Sequence, residues 1–261
     1  MTGPDIANAV ILPPAYRLVA LDTVGSTNDE AKRLAREGAE DGTLVWAREQ
    51  TAGRGRGGRD WASPRGNLYL SLVLRPECPA ARAAELGFVA AVGLGTALAS
   101  LVPPLCPVNY KWPNDVLLGE AKTAGILIET ESGLQPTPDA PLEWMVLGMG
   151  VNIQNYPKDT EFPATCLREE GAGDVTVEKL LESFGIYFLD WVNRWMEDGF
   201  APIRAEWKER GMGIGRKLRV RLPRETVRGK FIDLDADGAL LLKPEGEATV
   251  RRITAGDVFF A

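Results

Sequence analysis

Nine residues, Gly53 to Trp61, read Gly-Arg-Gly-Arg-Gly-Gly-Arg-Asp-Trp and hold four glycines and three arginines. Each glycine costs a helix about 1 kcal/mol relative to alanine, so this stretch is a loop that its neighbours must hold in place. Arginines supply rigid multi-donor forks, and glycines let backbone N–H groups come close to an anion. Three uses remain open for such a loop: a small anionic ligand, nucleic acid, or a solvated surface.

The rest of the chain narrows that choice. With 261 residues, 45% of them hydrophobic, it can bury a substantial core in one or two domains. Net charge is −6, and outside the loop and the C-terminal region there is little basic stripe for a dedicated nucleic-acid binder. An RNA-binding module built on the arginine-glycine loop is therefore the lesser reading. There is no histidine at all, which excludes a histidine triad, histidine-ligated zinc and histidine acid–base chemistry. Lysine, arginine, carboxylates and the substrate's own phosphates are left to act. Cys78, Cys106 and Cys166 lie far apart, as free thiols in a reducing cytoplasm would. The N-terminus lacks a basic region followed by an apolar run, and no run of about 18 uninterrupted apolar residues points to a membrane span.

Residues 17–24 are expected as a strand and 43–48 as another. Between them Ser26 and Thr27 open a helix, paired with Asp29 and Glu30 as two overlapping capping boxes. Asn67 to Leu74 alternates, with Leu68, Leu70, Leu72 and Leu74 on one face and Tyr69 and Val73 on the other. One apolar helix is expected from about Ala81 to Leu101. Val108–Lys111, then Val116–Leu118, a Gly119-Glu120 turn and Lys122–Glu129 predict paired strands that return Lys122 toward Asn114 and Asp115. Residues 131–141 look like a surface excursion, and Trp144–Val151 like a strand rich in glycine at its end. Leu180, Leu181, Phe184, Tyr187, Phe188, Trp191 and Trp195 recur as one face of an amphipathic helix, core rather than ligand platform. From about residue 212 the texture becomes short strands with a turn at Asp237-Gly238, enough for a small barrel closed to remove its edges.

Four polar groups thus stand on separate elements: Ser26-Thr27-Asn28; Gln50 with Arg54, Arg56 and Arg59; Lys111 with Asn114 and Asp115; and Lys122 leading into Gly125. Together with Gly148–Asn152, these segments resemble the biotin–protein ligases in family order and spacing over nearly the whole chain. The departures are Gly57, where some relatives carry a third closely spaced arginine, and the short lead of about sixteen residues, three of them proline, before the first strand. Relatives that repress transcription have a winged helix-turn-helix there, so specific DNA binding is not expected.

The resemblance implies an α+β fold: a mixed-sheet biotin/lipoate ligase-like catalytic domain over 1–211, then a small SH3-like β-barrel over 212–261. It implies that biotin and ATP form biotinyl-5'-AMP, with Mg²⁺ accompanying the nucleotide, and that biotin passes to a lysine of a biotin carboxyl carrier domain, such as that of acetyl-CoA carboxylase. Lys122, Arg56 and Asp115 are implied as catalytic, Asp115 holding or deprotonating the carrier lysine. Ser26, Thr27, Asn28, Gln50, Gly53, Arg54, Arg56, Lys122 and Gly125 are implied at biotin. Arg54, Arg56, Arg59, Lys111, Asn114, Lys122 and Asn152 are implied at ATP, with Asn114 near the metal. Trp61 has either a core role or a place over the ordered loop. A homodimer is preferred over a monomer, and lipoate or octanoate ligation is the competing activity within the superfamily.

Overall fold

The computed structural model describes residues 10–130 and 140–260; most of the excursion expected at 131–141 lies outside them. Strand β1 (Arg17–Val24) runs parallel to β2 (Thr43–Gln50), and helix α1 (Thr27–Arg36) makes the crossover. Strands β3 (Leu68–Leu74), β4 (Val108–Lys111), β5 (Asp115–Leu118), β6 (Ala121–Glu129) and β7 (Met145–Val151) complete a mixed sheet in the order β1-β2-β3-β7-β6-β5-β4.

The alternation on β3 sorts the two faces. Leu68, Leu70, Leu72 and Leu74 enter the main core, together with Met145, Leu147, Met149 and Val151 of β7. That face is covered by α2 (Leu86–Leu101), α3 (Val177–Asp198) and α4 (Phe200–Arg210). Phe184, Phe188 and Trp195 are buried there, as core residues. The helix expected from Ala81 is a single turn, Ala80–Ala83, followed by α2, with Ala84 and Glu85 between them at helical backbone angles. The stretch Ala80–Leu101 is long and apolar enough to cross a membrane. Its apolar residues have a different use here: Val89, Val92, Leu94 and Leu98 are wholly buried in the core.

The opposite face has less cover. Helix α1 places Ala31 and Ala35 over Val45, Val73, Trp144 and Val146 at one end. At the other end the same face of β7 carries only Gly148 and Gly150.

A second sheet follows, antiparallel throughout: β8 (Lys217–Arg221), β9 (Thr226–Leu234), β10 (Leu240–Pro244), β11 (Arg251–Ile253) and β12 (Asp257–Phe260). Its order is β11-β10-β9-β8-β12, so the expected closed barrel is corrected to an open sheet. The two strands that would have to meet are short edge strands, and the carbonyl of Gly256, just ahead of β12, accepts from Arg56 instead. The sheets are joined by Met212 N–H donating to Tyr110 O and by the Trp112 indole N–H donating to Gly238 O, at 2.8 and 3.0 Å.

Candidate active site

A cavity of about 310 Å³ opens over the thinly covered face, within the roughly 300–1,000 Å³ usual for small-molecule sites. Its floor follows from strand register. Gly125 of β6 pairs with Gly150 of β7, and Gly148 lies two residues before it on the same face. A Cβ at Gly150 would collide with the Trp61 indole, and one at Gly125 would stand 3.1 Å from that ring. The flat floor therefore depends on glycine at both positions, and Trp61 lies over it. The Trp61 Nε1–H is buried without a hydrogen-bond partner.

One end of the cavity is a neutral hydrogen-bonding cluster. Ser26 sits at the N-cap of α1, but its hydroxyl does not cap the helix, contrary to the capping-box expectation. Thr27 points away from its own helix: its N–H and Oγ1–H both donate to Gln50 Oε1, at 2.8 and 3.0 Å. Gln50 Nε2 donates to Ser63 Oγ at 3.0 Å. Below them the Ser71 hydroxyl lies 2.8 Å from Thr27 Oγ1 and 2.5 Å from Asn28 Oδ1. Asn28 Nδ2 in turn donates to Glu129 at 2.7 Å. Such a linked set holds side-chain orientations firmly.

The other end is cationic. The β5–β6 hairpin brings Lys122 Nζ to 2.6 Å from Asp115 Oδ1, and Lys111 Nζ lies 2.8 Å from the other carboxylate oxygen. Burial alone would raise the Asp115 pKa, but the two lysines outweigh it and hold the carboxyl below its ordinary value. Asp115 is thus an ionised anchor, shared between two ammonium groups, and a weak base. Lys122 Nζ also stands 5.3 Å over the Trp61 ring and Lys111 Nζ 4.3 Å over Phe162, within cation–π range.

The Gly53–Trp61 loop is braced from helix α1 and from the C-terminal sheet. Arg54 makes a two-pronged contact with Asp29 of α1, both distances 2.6 Å. Arg56 donates to Gly256 O at 2.6 Å, to Asp257 Oδ1 at 3.0 Å and, weakly, to Asn114 Oδ1 at 3.4 Å. Burial pushes its guanidinium below the ordinary arginine pKa. Arg59 grips both oxygens of Asp257 at 3.0 and 3.3 Å. The cavity wall carries six arginine and lysine side chains against four acidic ones, an excess suited to an anion.

Residues 12–209 match the biotin/lipoate A/B protein ligase family, and residues 213–261 match the biotin protein ligase C-terminal domain. The biotin–[acetyl-CoA-carboxylase] ligase of Paracoccus denitrificans is 40% identical over 240 residues, covering 90% of this chain and 97% of that protein. The chain belongs to the biotin protein ligase family. A biotin–[acetyl-CoA-carboxylase] ligase of Mycobacterium tuberculosis is 33% identical over 90% of this chain and 85% of its own. Among solved structures, the biotin protein ligase of Aquifex aeolicus in complex with biotin and ATP superposes with a TM-score of 0.77 at 26% identity, over 94% of this chain and 98% of that one. The protein is a ligase of this family.

For a biotin protein ligase, most of the residues singled out in the sequence face one cavity: Ser26, Thr27, Asn28, Gln50 and Gly125 at the floor and neutral end, Lys111, Asn114, Asp115, Lys122 and the three loop arginines toward the cationic end, with Asn152 also in the wall. Gly53 is the exception. It lies outside the lining and permits the loop's arms to cross, since a Cβ there would strike Ser63 and the Trp61 carbonyl. Asn114 gives its amide N–H to Ile126 O at 2.6 Å and its oxygen faces Arg56, so the side chain is already engaged. Asn152 donates to Thr165 O at 3.0 Å and braces the wall. Sequence reasoning missed Ser71, Asp257, Glu161 and Phe162. Ser71 had a signal, as the one hydroxyl amino acid without an aromatic ring in Leu68–Leu74; the others had none.

Proposed function

We propose that the protein joins biotin to ATP, forming biotinyl-5'-AMP, and transfers the biotinyl group to a lysine of the biotin carboxyl carrier domain of acetyl-CoA carboxylase or a related carboxylase. A carboxylate oxygen of biotin attacks the α-phosphorus and pyrophosphate leaves. The carrier amine then attacks the acyl carbon, loses a proton, and AMP leaves. Neither step needs an enzyme nucleophile, which agrees with a chain devoid of histidine. Placement and stabilisation of developing negative charge are the protein's contribution.

The observation that carries this reading is the polarity of this cavity. A neutral end, Thr27 with Gln50, suits a ureido group that would be costly to bury unpaired. The Trp61 indole, packed directly on Gly125 and Gly150, offers a flat flank for a bicycle. A cationic end, with Lys122 anchored by Asp115, suits the meeting of a carboxylate with a phosphate. Arg56 complements Lys122 from the loop, and Lys111 with Arg59 extends the positive wall for the remaining phosphates. Because Asp115 is a weak base, its part is to aim Lys122 rather than to deprotonate the carrier lysine.

Mg²⁺ would accompany the nucleotide and help neutralise its phosphate charge, with Asn114, which lines the cavity, the residue that could meet it. The free thiols Cys78, Cys106 and Cys166 support a cytoplasmic location. Against the RNA-binding reading, Arg54, Arg56 and Arg59 are already paired with this chain's own carboxylates, Asp29 and Asp257. The decisive assay is exchange of labelled pyrophosphate into ATP, expected with biotin and absent with lipoate or octanoate. Exchange supported by lipoate instead would overturn the choice of substrate.

A further inference from the structure

Asp257 stands out because nothing in the proposed chemistry requires an acid at that point. It opens β12 of the C-terminal sheet, nearly two hundred residues from the loop, yet its carboxylate lies in the wall of the same cavity. Oδ1 accepts from Arg56 Nη2 and Arg59 Nη2, each at 3.0 Å, and Oδ2 accepts from Arg59 Nη1 at 3.3 Å. Arg221 stands 3.5 Å from Oδ2 but has its own carboxylate, Glu161, at 2.9 Å. Asp257 therefore presents two oxygens to the loop guanidiniums, the arrangement a bound phosphate offers. Arg56 has a second, neutral anchor in the Gly256 carbonyl at 2.6 Å. It can thus stay in place when the carboxylate is replaced.

We propose that Asp257 is a built-in surrogate anion that holds the loop arginines and competes with the nucleotide's phosphates for them, so that it sets the affinity of the phosphate subsite. The proposal rests on the ligase reading above. Phosphate entry exchanges the Asp257 contacts of Arg59, and in part those of Arg56, for contacts with the ligand. Gly256 O keeps Arg56 at the wall during the exchange. Asp257 acts through the arginines and is a positioning residue.

The test is titration of the full chain with inorganic pyrophosphate and with ATP, by calorimetry at two salt concentrations. Asp257→Asn keeps an acceptor oxygen and removes the charge. It is expected to bind pyrophosphate about two- to fivefold more tightly, the scale of one partly exposed ion pair, with the gain shrinking as salt rises. Asp257→Glu should restore the ordinary affinity. In turnover, Asp257→Asn should lower KM for ATP without raising kcat. A residue that merely supported the fold would give weaker binding when altered. Unchanged or weaker binding of pyrophosphate by Asp257→Asn overturns the proposal. Failure of the unaltered protein to bind either pyrophosphate or ATP would overturn the ligase reading itself, and this inference with it.

Discussion

The two faces of the central sheet are made from the same strands and have opposite purposes. On β7, Met145, Leu147, Met149 and Val151 face three helices, while Gly148 and Gly150 between them face the cavity. One face is filled with side chains and excludes everything else. The other is emptied of them, and its shape comes from backbone, one indole and a rim of charges. Period-two alternation therefore divides stability from chemistry within a single strand. Substitutions on one face should be read in melting temperature and those on the other in rate.

The sharpest way to break that division is Leu72→Ala. Leu72 is wholly buried under the helices, and truncating such a residue costs about 2–5 kcal/mol of stability. Denaturant melts should show that loss, while activity per folded molecule stays within a few-fold; a collapse in activity of the folded fraction would mean that the faces are not independent. Lys122→Ala is the converse. Loss of a donor aimed at transition-state charge typically costs about 2.7–4 kcal/mol, or roughly 10²–10³ in rate, read as adenylate formation, with the melting curve little changed. Near-normal adenylate formation would remove Lys122 from its role.

A finer test concerns the rim. The paired Arg54 guanidinium lowers Asp29 to a pKa of about 2 from 3.8. Its contribution is complete above the ordinary value and is lost as pH falls through the lowered one. Asp29→Asn should loosen Gly53–Trp61 near neutral pH, seen as faster proteolysis of the loop, by no more than about 1 kcal/mol because the pair is largely exposed. The difference from the unaltered protein should fade between roughly pH 4 and pH 2. A difference that persists unchanged in acid would show that the Asp29 charge is not the anchor.

Local pattern made much of this legible. The leucine alternation in Leu68–Leu74 foretold both faces of β3, and the Gly119-Glu120 turn foretold that Lys122 would return to Asp115. The arginines were legible as a basic loop but not as a braced one. Their partners, Asp29 on a helix and Asp257 on the last strand, come from folding distant segments together, and no local periodicity marks them. Thr27 misled for a related reason: a hydroxyl at a helix start has the composition of a cap, and only the arrival of Gln50 from β2 draws it away. The closed barrel failed on the same ground, since short strands announce a small sheet without stating whether its edges meet.

The Trp112 indole that reaches across to Gly238 has a consequence for how such a chain can be altered over time. Trp112 is the immediate neighbour of Lys111, and the turn it grasps is also crowded by Phe88 and Phe200, which a Cβ at Gly238 would touch. A residue beside the cavity-lining Lys111 is thus moored to the far sheet. A C-terminal segment transplanted from another lineage would need to bring this turn, as well as its carboxylate at the loop, in matching form. The two stretches are consequently constrained to drift as partners, and a graft that joined well at the junction could still misplace a lysine a hundred residues upstream.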